Sequence, residues 1–127
     1  MLILASSSPR RKELLKKITK SFTVVEPKVN EREYQFSPFS YALELSRLKA
    51  YEVSSRYPNE AILACDTVVI LNNEIINKPK DDNDAKRILK LLSNKTHLVI
   101  SGYTYINKKK EINRKANEAK KRRTYSN

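Results

Sequence analysis

Residues 4–15 read Leu-Ala-Ser-Ser-Ser-Pro-Arg-Arg-Lys-Glu-Leu-Leu, so hydroxyls, guanidiniums and a helix-start signal coincide within one short stretch. Pro9 loses nothing at the first position of a helix, where its missing N–H has no partner in any case, and Ser8 ahead of it is a favoured cap. Leu14, Leu15 and Ile18 then keep a helical spacing. Arg10, Arg11 and Lys12 therefore fall in the first turn, where the macrodipole disfavours each cation by roughly 0.3–1 kcal/mol. Glu13 offsets only part of this. An anion at the turn reverses the sign, because the amides, the serine hydroxyls and the guanidiniums would all point at it. A solvated basic helix that tolerates the penalty is the other reading of the same residues.

Other positions can carry chemistry. Asp66 interrupts the run Ala-Ile-Leu-Ala-Cys-Asp-Thr-Val-Val-Ile-Leu at 61–71. Desolvation there raises a carboxyl pKa unless a cation or hydrogen bonds hold it ionised. Such a group suits a base or a metal ligand, although a structural aspartate capped by Thr67 and nearby amides fits the same pattern. Lys78 before Pro79, Lys49 in a helical run, and Glu31 and Glu33 in a polar loop are each, taken singly, ordinary solvated charges. One cysteine and one histidine leave too few ligands for a Cys/His zinc site. Any metal would be a hard cation held by carboxylates and phosphate oxygens. Gly102 is the single glycine, so glycine-rich phosphate loops are absent and phosphate binding must use serine, arginine and lysine.

The elements that must position these groups alternate between strand and helix. Leu2–Ala5 and Phe22–Val25 are short β-rich runs. Ser37-Pro38 repeats the helix-start signal, and Phe39, Leu43, Ala50 and Val53 mark one face of the helix that follows. Ala61–Leu71 is almost continuously apolar, as in a strand buried on both faces. Asn72-Asn73 suits a tight hairpin, because asparagine tolerates positive φ, and Glu74–Ile76 is the return strand. Asp81 or Asp82 caps a helix whose buried stripe is Ala85, Ile88, Leu89 and Leu92. Thr96–Ile106 is the last β-rich run. The pattern predicts an α/β fold, a mixed sheet with flanking helices and some antiparallel pairing.

The 127 residues suit one domain with a real core. The net charge of +12 is unevenly spread. Residues 107–127 hold nine Lys/Arg against two Glu, while residues 1–106 hold 17 basic and 12 acidic side chains. The division predicts an α/β domain over 1–106 and a disordered or partly helical basic tail over 107–127. No apolar run reaches the roughly 18 residues of a membrane span. The start of the chain has neither a charged lead nor a cleavable apolar segment, and a lone Cys65 fits a reducing cytosol, so a cytoplasmic protein is expected.

Taken together, the serine-arginine motif, Glu31, Leu48-Lys49-Ala50, Ala64-Cys65-Asp66-Thr67-Val68-Val69, Lys78-Pro79 and Leu92-Ser93 have a recognisable order and spacing. Over about residues 2–104 the chain resembles the Maf family of nucleoside triphosphate pyrophosphatases. The resemblance implies a two-lobed, ITPase-like α/β fold with its site in the cleft between lobes. It also implies metal-assisted hydrolysis between the α and β phosphates, giving a nucleoside monophosphate and pyrophosphate, with Mg²⁺ or Mn²⁺ as cofactor. By that likeness Asp66 is the proton acceptor and Glu31 a carboxylate near the metal, which Asp66 also ligates. Ser6, Ser8, Arg10 and Arg11 form the phosphate-facing motif, with Arg10 tied to substrate choice, and Lys49 and Lys78 contact phosphates. Thr67 resembles the branch acting on dTTP and UTP, whereas the branch acting on methylated GTP tends to carry glutamine there. A homodimer is compatible with the likeness.

The resemblance fades after Ser101-Gly102-Tyr103. Family segments of the type Asp-Lys-Ala-Gly-Ala-Tyr and Gly-Ile-Gln-Gly are missing, so a truncated or frameshifted copy lacking much of the C-terminal half is expected. An alternative from a different class is a non-catalytic protein whose basic tail binds nucleic acid without reading sequence.

Overall fold

A computed structural model of the chain describes residues 1–31, 35–76, 80–93 and 95–122. Its elements in chain order are β1 (Leu2–Ala5), α1 (Pro9–Lys16), β2 (Phe22–Val25), α2 (Tyr41–Arg56), β3 (Ala61–Leu71), β4 (Glu74–Ile76), α3 (Asp82–Leu92), β5 (Thr96–Ile106) and β6 (Ile112–Arg122). The first five strands lie where the β-rich runs predict them. With β6 they build a six-stranded mixed sheet of order β2-β1-β3-β5-β6, with β4 paired to β3.

The register creates the place where chemistry can happen. β1 runs parallel to β3 and stops at the pair Ala5↔Ala64. β4 joins β3 only from the pair Val69↔Ile76 onward. Between the two, Cys65–Val68 have no strand beside them on that edge among the described residues, while their other edge is fully paired to β5. The parallel links from β1 to β2 and from β2 to β3 run in opposite directions along the sheet. Right-handed crossovers therefore put α1 on one face and α2 on the other.

α2 covers its face closely. Ala42, Leu45, Ser46, Ala50 and Val53 are its buried residues. Two apolar clusters form beneath it, one of Ile3, Ala5, Ala50, Val53, Ile62, Ala64 and Ile106, the other of Ala42, Val68, Ile70 and Ile100. A polar seam separates them. Ser46 and Thr104 share a buried hydroxyl–hydroxyl bond of 2.8 Å, and Asp66 pairs with Gly102 on the neighbouring strand.

Four expectations need correction. α2 begins at Tyr41 rather than at Ser37-Pro38, because the Ser40 N–H turns back to the Ser37 carbonyl at 3.0 Å and a separate turn forms there. Phe39 consequently sits in that turn, 44% exposed, instead of on the buried helix face. β3 is buried all along the α2 face, but on the other face only its ends, Ala61 and Leu71, are buried; Leu63, Cys65 and Val69 are half-buried there and Thr67 is exposed. α3 is capped by Asp81, whose carboxylate accepts the Asp84 N–H at 2.7 Å. Of its stripe only Leu92 is buried, and Leu89 is 42% exposed.

The basic tail is the fourth correction: its residues 112–122 form β6. The Asn107 side chain accepts the N–H groups of Lys109 and Glu111 at 2.9 Å each, and Lys110 takes a φ of 67°, so the chain reverses at once. β6 then pairs with β5 along its whole length, from Ile106↔Ile112 to Thr96↔Arg122. Arg114 reaches across to Glu44 of α2 at 2.6 Å. Backbone pairing replaces the missing apolar period, which is why hydrophobic pattern does not reveal this strand. Among the described residues no helix is long and apolar enough to cross a membrane.

Candidate active site

The head of α1 is built from the serine-arginine motif. Ser6 is buried, and its hydroxyl oxygen accepts the Ser8 N–H at 3.0 Å. Ser8 is the helix cap, its Oγ accepting the Arg11 N–H at 3.3 Å. Both serines thus fix the turn while keeping a hydroxyl proton to donate. Arg10 is exposed at the helix start. Arg11 reaches the unpaired edge of β3, where Nη1 donates to the Cys65 carbonyl at 2.7 Å and Nη2 to Thr67 Oγ1 at 3.0 Å. Thr67 Oγ1 lies 3.0 Å from Ser101 Oγ on β5. Two of the five guanidinium donors are committed here, leaving three available.

Asp66 points to the opposite face. It is 7% exposed, within the polar seam beneath α2. Lys49 of α2 places its ammonium 2.9 Å from Glu31 Oε1 and 3.7 Å from Asp66 Oδ1. Burial pushes the Asp66 carboxyl above its ordinary value; Lys49 opposes that shift and Glu31 adds to it. Tyr41 belongs to the same neighbourhood, its phenol pushed up by burial and by the fields of Glu31 and Asp66. Its ring meets Phe36 edge-on, with centroids 6.1 Å apart.

Gly102 explains how α2 comes so near. A Cβ built there would lie 2.6 Å from the Leu43 backbone N and Cα and 2.8 Å from the Ala42 carbonyl carbon. Real side chains do not make such contacts, so only glycine lets the first turn of α2 rest on the sheet at this point. The position directly across from it on β3 is Asp66.

The motif and the carboxylates thus meet where β1 ends and β3 continues. Ser6, Ser8, Arg11 and Thr67 gather on one side, Glu31, Lys49 and Asp66 on the other. Lys78 and Glu33 lie outside the described residues. Tyr41, Ser101 and the packing role of Gly102 are not marked by sequence reasoning; the rarity of glycine was the one available signal. Among the described residues no three His, Cys, Asp or Glu side chains group as a metal cage. The donor set of Glu31 and Asp66 fits a hard divalent ion of the Mg²⁺ type, which takes one or two carboxylates and completes its shell with phosphate oxygens and water.

The sequence profile of the Maf-like protein family matches residues 1–126. The chain belongs to the Maf-like family. Among curated relatives, the dTTP/UTP pyrophosphatase of Pyrococcus abyssi is 46% identical over 112 residues, covering 88% of this chain and 59% of that protein. The dTTP/UTP pyrophosphatase of Carboxydothermus hydrogenoformans is 44% identical over 103 residues, with 81% and 55% covered. This Maf-like chain therefore spans less than two thirds of their length. Two solved structures share its fold. A nucleoside-triphosphatase, or dITP/XTP pyrophosphatase, from Mycobacterium abscessus has a TM-score of 0.61 at 14% identity, covering 94% of this chain and 71% of its own. The Staphylococcus aureus Ham1 protein has a TM-score of 0.61 at 16% identity, with 94% and 69% covered. The mixed α/β architecture expected from the Maf resemblance is the one these folds share.

Proposed function

We propose that this Maf-like chain hydrolyses dTTP- and UTP-type nucleoside triphosphates between the α and β phosphates, releasing the monophosphate and pyrophosphate in the cytosol. One observation carries the reading. A buried carboxylate, Asp66, is held beside Lys49 and Glu31 at the unpaired edge of β3, which the Ser6–Arg11 motif adjoins from the other face. The relatives named dTTP/UTP pyrophosphatase support the substrate class, as does Thr67 after the aspartate.

The roles follow from the chemistry of each group. Asp66 accepts a proton from the attacking water, and its raised pKa brings the base nearer to the pH at which it works. Lys49 and the three uncommitted donors of Arg11 face the developing negative charge of the phosphates. Ser6 and Ser8 donate hydroxyl protons at the helix start, and Arg10 lies at its outer rim, where it discriminates among substrates. Glu31 and Asp66 would hold the divalent ion, which supplies Lewis-acid polarisation of the phosphoryl oxygens when bound.

The test is pyrophosphate release from dTTP and UTP with Mg²⁺, set against dATP and GTP, for the wild type and Asp66→Asn. Release from the pyrimidine nucleotides that Asp66→Asn abolishes supports the assignment. Equal rates for both proteins remove Asp66 from the role. The alternative, a non-catalytic protein binding nucleic acid through its basic C-terminal tail, is not favoured: residues 112–122 are tied into the sheet as a strand.

A further inference from the structure

The ammonium of Lys49 sits against both carboxylates that fit a divalent ion. It is hydrogen-bonded to Glu31 at 2.9 Å, whereas 3.7 Å to Asp66 is an ion contact beyond hydrogen-bond range. The grip is unequal in a second respect. The Glu31 side chain is 50% exposed, while those of Lys49 and Asp66 are 15% and 10% exposed. Lys49 thus touches both carboxylates and holds the buried one less closely; Asp66 has in addition a backbone hydrogen bond from Thr67 and the more distant charge of Arg11. A divalent ion drawn to the same carboxylates would meet a like charge already there. The stem of Lys49 is flexible, so its ammonium can move without moving α2, which is fixed by close packing at Gly102.

We propose that Lys49 is the resident counter-ion of the Glu31–Asp66 pair, and that it changes partners from carboxylate to phosphate as the divalent ion and the triphosphate arrive together. This rests on the pyrophosphatase reading and adds an order to it. Metal alone binds weakly because Lys49 competes for its ligands. Nucleotide offers the ammonium new partners and so opens the carboxylates. The two ligands must then strengthen each other by the same factor, since coupling between sites is reciprocal.

Mn²⁺ titration by calorimetry, without nucleotide, tests this on the wild type and on Lys49→Met and Lys49→Arg. Lys49→Met should bind Mn²⁺ tighter by at least about 5-fold, the lower end of typical coupling factors. Lys49→Arg, which keeps a cation, should stay close to the wild type. Adding an α,β-methylene analogue of dTTP should raise the Mn²⁺ affinity of the wild type more than that of Lys49→Met. Equal or weaker Mn²⁺ binding by Lys49→Met, including no binding by either protein, overturns the exchange.

A second measurement needs no variant. Acylation of Lys49 by an amine-reactive reagent, followed by mass spectrometry, should quicken when Mn²⁺ alone is bound, because the ammonium has been released. Unchanged reactivity of Lys49 in the Mn²⁺-bound protein also overturns the proposal. Failure of the pyrophosphatase reading would look different: no pyrophosphate release from any nucleotide, with the Mn²⁺ gain of Lys49→Met intact.

Discussion

Helices α1 and α2 flank the same sheet and are held to it in opposite ways. α2 buries five residues and rests its first turn on the single glycine of the chain. α1 buries none; Leu14 is 50% exposed, and Ile18 just beyond the helix is 84% exposed. Its tie to the sheet is polar, one guanidinium on a free carbonyl and a threonine hydroxyl. Apolar packing fixes distance and costs much to disturb, whereas a charged fork on a half-buried carbonyl and an exposed hydroxyl can exchange them for a ligand's oxygens, one set of charge-assisted hydrogen bonds for another. The α2 face therefore suits groups that need a fixed setting, Asp66 above all. The α1 face suits groups that must close on something.

The sharpest break in this contrast comes from Asp66→Asn. Pyrophosphate release should fall by about 10²–10⁴-fold, the usual share of a general base. The thermal midpoint should hold or rise, since a buried charge is removed; a parallel fall of both would make Asp66 structural. The pH profile carries the same signature. Burial, more than Glu31, holds the proton on Asp66 to a pH above the ordinary 3.8, with Lys49 opposing. Activity should therefore fade as pH drops through that raised value, ahead of an ordinary aspartate. For stability the sign is reversed: the folded form binds this proton better than the unfolded one. Its contribution is present below pH 3.8 and is lost as pH rises through the raised pKa. Asp66→Asn should remove both dependences.

Gly102→Ala tests whether close packing sets the α2 face. The added methyl meets backbone, so α2 must shift, at about 1–3 kcal/mol by urea unfolding. kcat/KM should fall with it as Lys49 leaves its place. Retained stability would mean that the helix yields freely.

Arg11→Lys probes the other face. Losing the planar fork should cost about 1 kcal/mol of stability, the worth of a hydrogen bond, and should raise KM for nucleotide more than it lowers kcat. A larger effect on stability than that of Gly102→Ala would invert the comparison.

Smallest is Glu44→Gln, which loosens α2 from β6 by less than about 1 kcal/mol in thermal unfolding. Burial pushes the Glu44 carboxyl up, but hydrogen bonds from Arg114 and Arg47 outweigh it and hold the pKa below 4.5. The stabilisation is thus present above that value and lost as pH falls through the lower folded one, and the variant should lack this acid loss.

Much of this was legible in the residues themselves. Five strands and the start of α1 follow from β-rich runs and the Ser8-Pro9 signal, because those patterns act locally. The start of α2 was misplaced because the Ser37 carbonyl captures the N–H of Ser40, a competition that spacing does not reveal. β6 was hidden because a strand of charged and polar residues takes its order from its neighbour's backbone. Asp66 and Lys49 stood out by type, yet only the fold brings Glu31 to the same ammonium. The close approach at Gly102 is a property of two chain segments and has no one-dimensional trace beyond the rarity of glycine.

The turn between β3 and β4 has a consequence of its own. Asn72 and Asn73 both adopt left-handed backbone conformations, with φ of 53° and 64°. Asparagine endures this conformation better than most residues, but glycine accepts it without a steric penalty. A chain with one glycine, placed elsewhere, thus holds unused headroom at a hairpin tip, several residues along β3 from Asp66. Asn73→Gly should recover up to about 1 kcal/mol in urea unfolding, the left-handed penalty of roughly 1–2 kcal/mol less the roughly 0.5–1 kcal/mol of added chain entropy. Variants of the candidate site that fold too poorly to assay could be rescued in that background, separating loss of chemistry from loss of structure.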